Sequence, residues 1–129
     1  FLAWYSKPKV RIGNKDAVKY DKVLENIGSG YDLSTGKFTA PVSGIYAISV
    51  SMMSETANPV HLGIMKNSQL LTVLFSNSKT YPHASSTLNL SLEDGDTVWA
   101  RCLTGSVLHV NTNWPYNIFS GVLITQFPV

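Results

Sequence analysis

Apolar residues recur at every second position along much of this chain. Tyr46, Ile48, Val50 and Met52 fall on one side of a run whose other side carries Ile45, Ala47, Ser49 and Ser51. Val60, Leu62 and Ile64 repeat the rhythm, as do Leu88, Leu90 and Leu92 against Asn89 and Ser91. Val98, Ala100 and Cys102 alternate with Trp99, Arg101 and Leu103. Period two over short segments predicts β-strands, because successive side chains of a strand point to opposite faces. Turn residues punctuate these runs at Ser29-Gly30, Ser34-Thr35-Gly36, Ser43-Gly44, Asn58-Pro59, Asn67-Ser68, Asp94-Gly95 and 113–115. No stretch shows the apolar stripe of an amphipathic helix. The pattern predicts an all-β sandwich or jelly roll, filling residues 1–129 as one domain.

Two runs depart from alternation. "QLLTVLFS" (69–76) and "NIFSGVLITQF" (117–127) are apolar on both faces. The outer face of a two-sheet sandwich ordinarily meets water. These strands are therefore expected to be covered, either within the domain or by another subunit. Composition points the same way: charged residues make up 14% of the chain, where about 25% is usual. A surface rich in Ser, Thr and Asn is the other account of that figure.

"FTAPVSGIYAISVSM" (38–52) sets a Pro–Gly lead-in directly before an apolar strand. Pro41 lacks a backbone donor and so belongs ahead of the ladder. Gly44 is expected to turn the chain sharply into the sheet through a backbone conformation that a Cβ would oppose.

The net charge of +2 is too small to imply nucleic acid or a membrane surface. Lys7, Lys9, Arg11, Lys15, Lys19 and Lys22 crowd the first 22 residues, interrupted by Asp16 and Asp21; this run is read as a solvated segment rather than a polyanion site. Cys102, the single cysteine, permits no intrachain disulfide and is expected to be a small core residue. "FLAWY" is too short for a signal peptide, and no run approaches a membrane span. No Gly-X-Y run occurs.

Chemistry-bearing motifs fail on inspection. "GSGYDLSTGK" (28–37) has Tyr31 where a phosphate loop needs its first Gly, and Phe38 after Lys37 where Ser or Thr is required. His61, His83 and His109 are scattered, and a catalytic triad is recognised by geometry rather than sequence. No enzyme is expected, and neither a transition metal nor an organic cofactor. Calcium stays open, with Asp94 and Asp96 of "EDGD" as weak candidates beside the alternative of a tight Asp-Gly turn. Asn89-Leu90-Ser91 is a glycosylation sequon pointing away from the leucine face.

One spacing is specific. Tyr20, Asn26, Tyr31, Phe38, Gly44, Tyr46, Ile48 and Val50 fall at intervals that resemble the signature of the C1q globular domain. Tyr20 stands where Phe is usual, Ile48 replaces Phe and Val50 replaces an aromatic, all keeping bulk and apolarity. "LEDGDTVWARC" resembles the family's strand lead-in, "FSGVLITQF" its closing strand and "FLAWYS" its short first strand. The resemblance implies a ten-stranded jelly roll of the tumour-necrosis-factor type, assembled as a homotrimer. It also implies a secreted, extracellular recognition domain. For the collagen-free form known in invertebrates, that means a lectin of innate defence that binds glycans on cell or microbial surfaces. A receptor-binding ligand of the adiponectin or cytokine type, and a structural or matrix module, are the alternatives.

The candidate ligand site is "LHVNTNWPYNIF" (108–119), expected to be the loop between the last two strands. Trp114 and Tyr116 flank Pro115, with Asn111, Asn113 and Asn117 around them. Aromatic planes under a sugar's C–H face and amides for its hydroxyls are the chemistry a glycan requires. The alternative is that Trp114 packs under its own loop or in a subunit seam. Tyr81 and His83, beside Pro82, form a second candidate loop, and Arg101 is a candidate partner for an acidic sugar.

Overall fold

The computed structural model describes residues 1–7, 11–28, 30–109 and 115–128. Trp114, Asn113 and Asn111 lie outside these. The elements are β1 (Leu2–Trp4), β2 (Arg11–Ile12), β3 (Lys22–Glu25), β4 (Tyr31–Asp32), β5 (Lys37–Thr39), β6 (Gly44–Met53), β7 (Val60–Lys66), β8 (Gln69–Ser76), β9 (His83–Leu92), β10 (Thr97–Cys102), β11 (Ser106–Val107) and β12 (Ile118–Gln126). Ten strands form two five-stranded antiparallel sheets, ordered β3-β1-β12-β6-β9 and β4-β5-β10-β7-β8. The short β2 and β11 pair separately. This is the expected jelly-roll architecture. No helix long and apolar enough to cross a membrane occurs among the described residues.

The core follows from the alternation. Tyr46, Ile48, Val50 and Met52 of β6 point inward and are buried, facing Leu62 and Ile64 of β7 and Val98, Ala100 and Cys102 of β10. An aromatic cluster seals one flank. The Phe1 ring stacks on Phe38 at 4.6 Å and on Tyr31 at 5.2 Å, and meets Phe119 edge-on at 4.8 Å. Such arrangements add about 0.5–1.5 kcal/mol per pair beyond area burial. Burial holds the Tyr20 and Tyr31 phenols well above their ordinary range. Cys102 is buried, with its thiol donating to the Thr104 carbonyl at 2.9 Å.

Gly44 serves a purpose other than the one expected. It does not adopt a positive φ, unlike Gly28, Gly36 and Gly95. Instead, a Cβ here would press into the Thr125 carbonyl oxygen and the Leu123 side chain of β12. The requirement is close approach of two backbones, not a sharp turn. The lead-in itself is tied by the Tyr46 hydroxyl, which donates to the Val42 carbonyl at 2.7 Å.

The doubly apolar strands are partly uncovered in the single chain, and on β12 even Leu123, paired with Tyr46, is exposed. On β12, Val122 and Ile124 are 61% and 55% exposed. Val122 pairs with Ala47, so it lies on the small-residue face of β6. On β8, Leu70, Val73 and Phe75 are exposed on the outside of the second sheet.

Register also fixes direction. Gly44 pairs with Leu92 and Gln126 at the end of the sandwich where β12 terminates; Met53 pairs with His83 at the opposite, distal end. β12 begins at that distal end.

Candidate functional site

The distal end gathers side chains from three separate segments. Tyr81 precedes β9, His109 follows β11, and Tyr116 leads into β12. The Tyr81 and His109 rings lie 4.4 Å apart, and the His109 and Tyr116 rings 5.4 Å apart. Glu55, just beyond β6, places Oε2 3.3 Å from His109 Nδ1. Tyr81 is 43% exposed, while Tyr116, His109 and Glu55 are half-buried.

Each member is held by backbone. His109 N donates to the Met53 carbonyl at 2.8 Å and Glu55 N to the Val107 carbonyl at 2.9 Å. Ser51 Oγ donates to the Tyr116 carbonyl at 2.9 Å. Asn117, only 1% exposed, is the central clamp: Nδ2 donates to the His109 carbonyl and Oδ1 accepts from Met53 N, both at 2.8 Å. Its buried amide is thus engaged by backbone. Tyr81 sits at φ +42°, a left-handed conformation that an L-residue pays for in strain. The neighbouring Pro82 is buried and its carbonyl accepts from Ser54 N at 2.9 Å, which fixes the strained residue against β6.

The arrangement offers a row of three rings, two with phenol hydroxyls, beside a carboxylate. Flat apolar faces with polar edges suit a ligand that presents both C–H faces and hydroxyls. Of the residues expected from sequence, Tyr81 and Tyr116 are brought together, with His109 between them. His83 is exposed at the first position of β9, on the outward face that pairs with Met53. Arg101 lies on the other sheet beside Trp99, and its Nε donates to the Lys15 carbonyl at 3.1 Å. His109 falls within the 108–119 stretch, whereas Glu55, 54 positions earlier, carries no sequence signal for this role.

The acidic turn is at the opposite end. Asp96 accepts from Glu93 N at 2.9 Å and from the Asn67 amide at 3.1 Å, and Lys66 Nζ lies 3.8 Å away. These bonds, that from Glu93 foremost, hold its carboxyl below the usual carboxylate range. Asp94 N is bound by Ser43 Oγ, and Gly95 takes the positive φ of +93°. Among the described residues, no three His, Cys, Asp or Glu side chains converge as a metal would need.

Comparison with known proteins places the fold. The C1q domain family model matches residues 1–124. Caprin-2 of Danio rerio is 29% identical over 112 residues, covering 84% of this chain but only 12% of that protein's length. The globular domain of zebrafish complement 1qA superposes with a TM-score of 0.79 at 23% identity, over 98% of both chains. Murine APRIL gives 0.72 at 14% identity, covering 95% of this chain and 98% of that one. Eiger TNF from S. frugiperda gives 0.70 at 14% identity, covering 100% and 95%. With its signature residues in place on this jelly roll and the family match running across nearly all of its length, the chain belongs to the C1q domain family.

Proposed function

We propose that this domain is an extracellular, secreted recognition module that works as a homotrimer and binds glycans on cell or microbial surfaces through its distal end. It binds rather than catalyses, and needs no cofactor. The Tyr81–His109–Tyr116 row supports this reading. It stands at the end of the sandwich opposite the close of β12, on backbone that Asn117 and Ser51 clamp in place. Ser54 is buried, and its backbone N donates to the carbonyl of Pro82, the residue after Tyr81. Rings fixed before binding lose little conformational entropy on contact with a ligand. A single such site binds weakly, and three engaging one surface gain strength through effective concentration.

A glycan array probed with the assembled protein, with Tyr81→Ala and with Tyr116→Ala tests the proposal. Expected is retention of defined glycans by the parent protein, unchanged by EDTA, and at least tenfold loss in both variants at unaltered melting temperature. Cell binding that survives enzymatic removal of surface glycans would favour a protein receptor and overturn the lectin reading.

A further inference from the structure

The fold assembles a second, differently charged concavity. Lys7 after β1, Arg11 on β2, Lys19 ahead of β3 and Lys37 on β5 all line one open cavity of about 630 Å³. Asp16 is the one acidic residue among its lining. The two ion pairs among the described residues, Lys66–Asp96 and His109–Glu55, both lie elsewhere. Asp32, behind the Ser34–Thr35 wall, is engaged by Ser34 N at 2.9 Å and Ser34 Oγ at 2.6 Å.

Two of the cations are held by neighbours at the cavity's edge. Arg11 Nη2 donates to the Gly105 carbonyl at 3.2 Å, and Lys37 Nζ stands 4.6 Å from the centre of the Trp99 ring. Four cations around one concavity with a single acid create a positive potential that concentrates anions. The sequence shows these lysines only as a run in the first 22 residues, which reads as solvated. Lys37 arrives from β5, and a run does not show which of its members line one cavity.

We infer that this cavity is a binding site for a sulfated polysaccharide, separate from the distal aromatic row. A nucleic acid fits less well. Single-stranded binding uses exposed aromatic platforms for bases, and the aromatic residue lining this cavity, Tyr5, is buried.

The test is titration of a heparin hexasaccharide at several salt concentrations. The parent protein is compared with Arg11→Gln/Lys19→Gln and with the equal-charge control Lys22→Gln/Lys79→Gln, neither member of which lines the cavity. Expected is at least tenfold weaker binding for the cavity variant, with the log–log salt slope reduced by about two ionic contacts, and less than twofold change for the control. Should the double variant fold poorly, Lys19→Gln alone changes an exposed side chain and should still weaken binding and flatten the slope. Tyr81→Ala should leave heparin binding unchanged, which separates this site from the distal one. Equal losses in cavity and control variants, or tighter binding of single-stranded DNA than of heparin, overturn the inference.

Discussion

Asn26 and Tyr31 satisfy each other twice: the Asn26 amide donates to the Tyr31 carbonyl at 2.9 Å, and Tyr31 N donates to Asn26 Oδ1 at 3.0 Å. The Tyr31 hydroxyl then reaches the Tyr20 carbonyl at 2.7 Å. Three positions of the family spacing are thereby one hydrogen-bonded chain. It ties Asn26 to Tyr31 and seats the Tyr31 ring in the core.

Asn26→Ala removes both bonds and leaves a backbone donor and acceptor short of partners, at a cost of about 1–3 kcal/mol. Asn26→Asp keeps the acceptor and should lose less at neutral pH. Tyr31→Phe strips the bond to Tyr20 and should cost about 1 kcal/mol. Denaturant unfolding of the three variants checks the order; an unchanged Asn26→Ala would show the clasp to be dispensable.

Gly44→Ala and Gly95→Ala should fail for different reasons. At Gly44 the new methyl meets the β12 backbone, and overpacking of this kind costs about 1–3 kcal/mol. At Gly95 there is open space, and the cost is that of φ +93°, about 1–2 kcal/mol. Only the first should disturb the β6–β12 ladder, as read by amide hydrogen exchange at Thr125 and Gln126. Equal protection loss in both variants would refute the distinction.

Residues facing the core were readable because a strand's period is an integer. Once Tyr46 points inward, Ile48, Val50 and Met52 must follow. The site was only half readable. Tyr81 and Tyr116 carry an aromatic–proline signal, but which ring stands between them depends on a chain crossing from β11 that no local pattern encodes. Arg101 reads as a partner for an acidic sugar, and sequence cannot show that it lies on the other sheet from β9 and β12, where its Nε also donates to the Lys15 carbonyl. Gly44 misled for a related reason, since a glycine needed for close approach looks the same as one needed for a turn.

Acid should weaken the domain partly through Asp96. Its folded carboxyl is held below the unfolded value of about 3.9. Its contribution is therefore complete above that value and is lost as pH falls through the lowered folded one. Asp96→Asn should lower stability at pH 7 and flatten its fall below about pH 4. Parallel acid profiles for the two proteins would show that the turn is held by backbone alone.

Cys102 should react slowly with a thiol reagent under native conditions, because its sulfur is buried between the sheets. Cys102→Val keeps an apolar side chain of similar size and should cost below about 1.5 kcal/mol. Labelling as fast as that of a free peptide thiol would place this part of β10 outside the core.

The small-residue face of β6 is the surface expected to meet neighbouring subunits. Ala47 lies between Val122 on β12 and Asn89 on β9, and Ser49 between Ser120 and Thr87. Short side chains let a partner approach, and Val122 and Ile124 supply exposed apolar area beside them. An obligate interface buries about 2,000 Å² or more and resembles a cut core, so a charge at its centre should not be tolerated. Ala47→Glu should convert a trimer into monomers by sedimentation while far-UV circular dichroism stays unchanged. Phe75→Glu, on the outer side of β8, serves as the comparison. If Phe75→Glu dissociates the assembly and Ala47→Glu does not, the contact runs through the second sheet. A parent protein that sediments as a stable monomer at micromolar concentration defeats the trimer itself. The same face carries Asn89 of the sequon, whose side chain is exposed opposite Ala47. A glycan there would stand where the partner must sit, so the assembled protein should carry none at Asn89, and mass spectrometry of the purified trimer decides it.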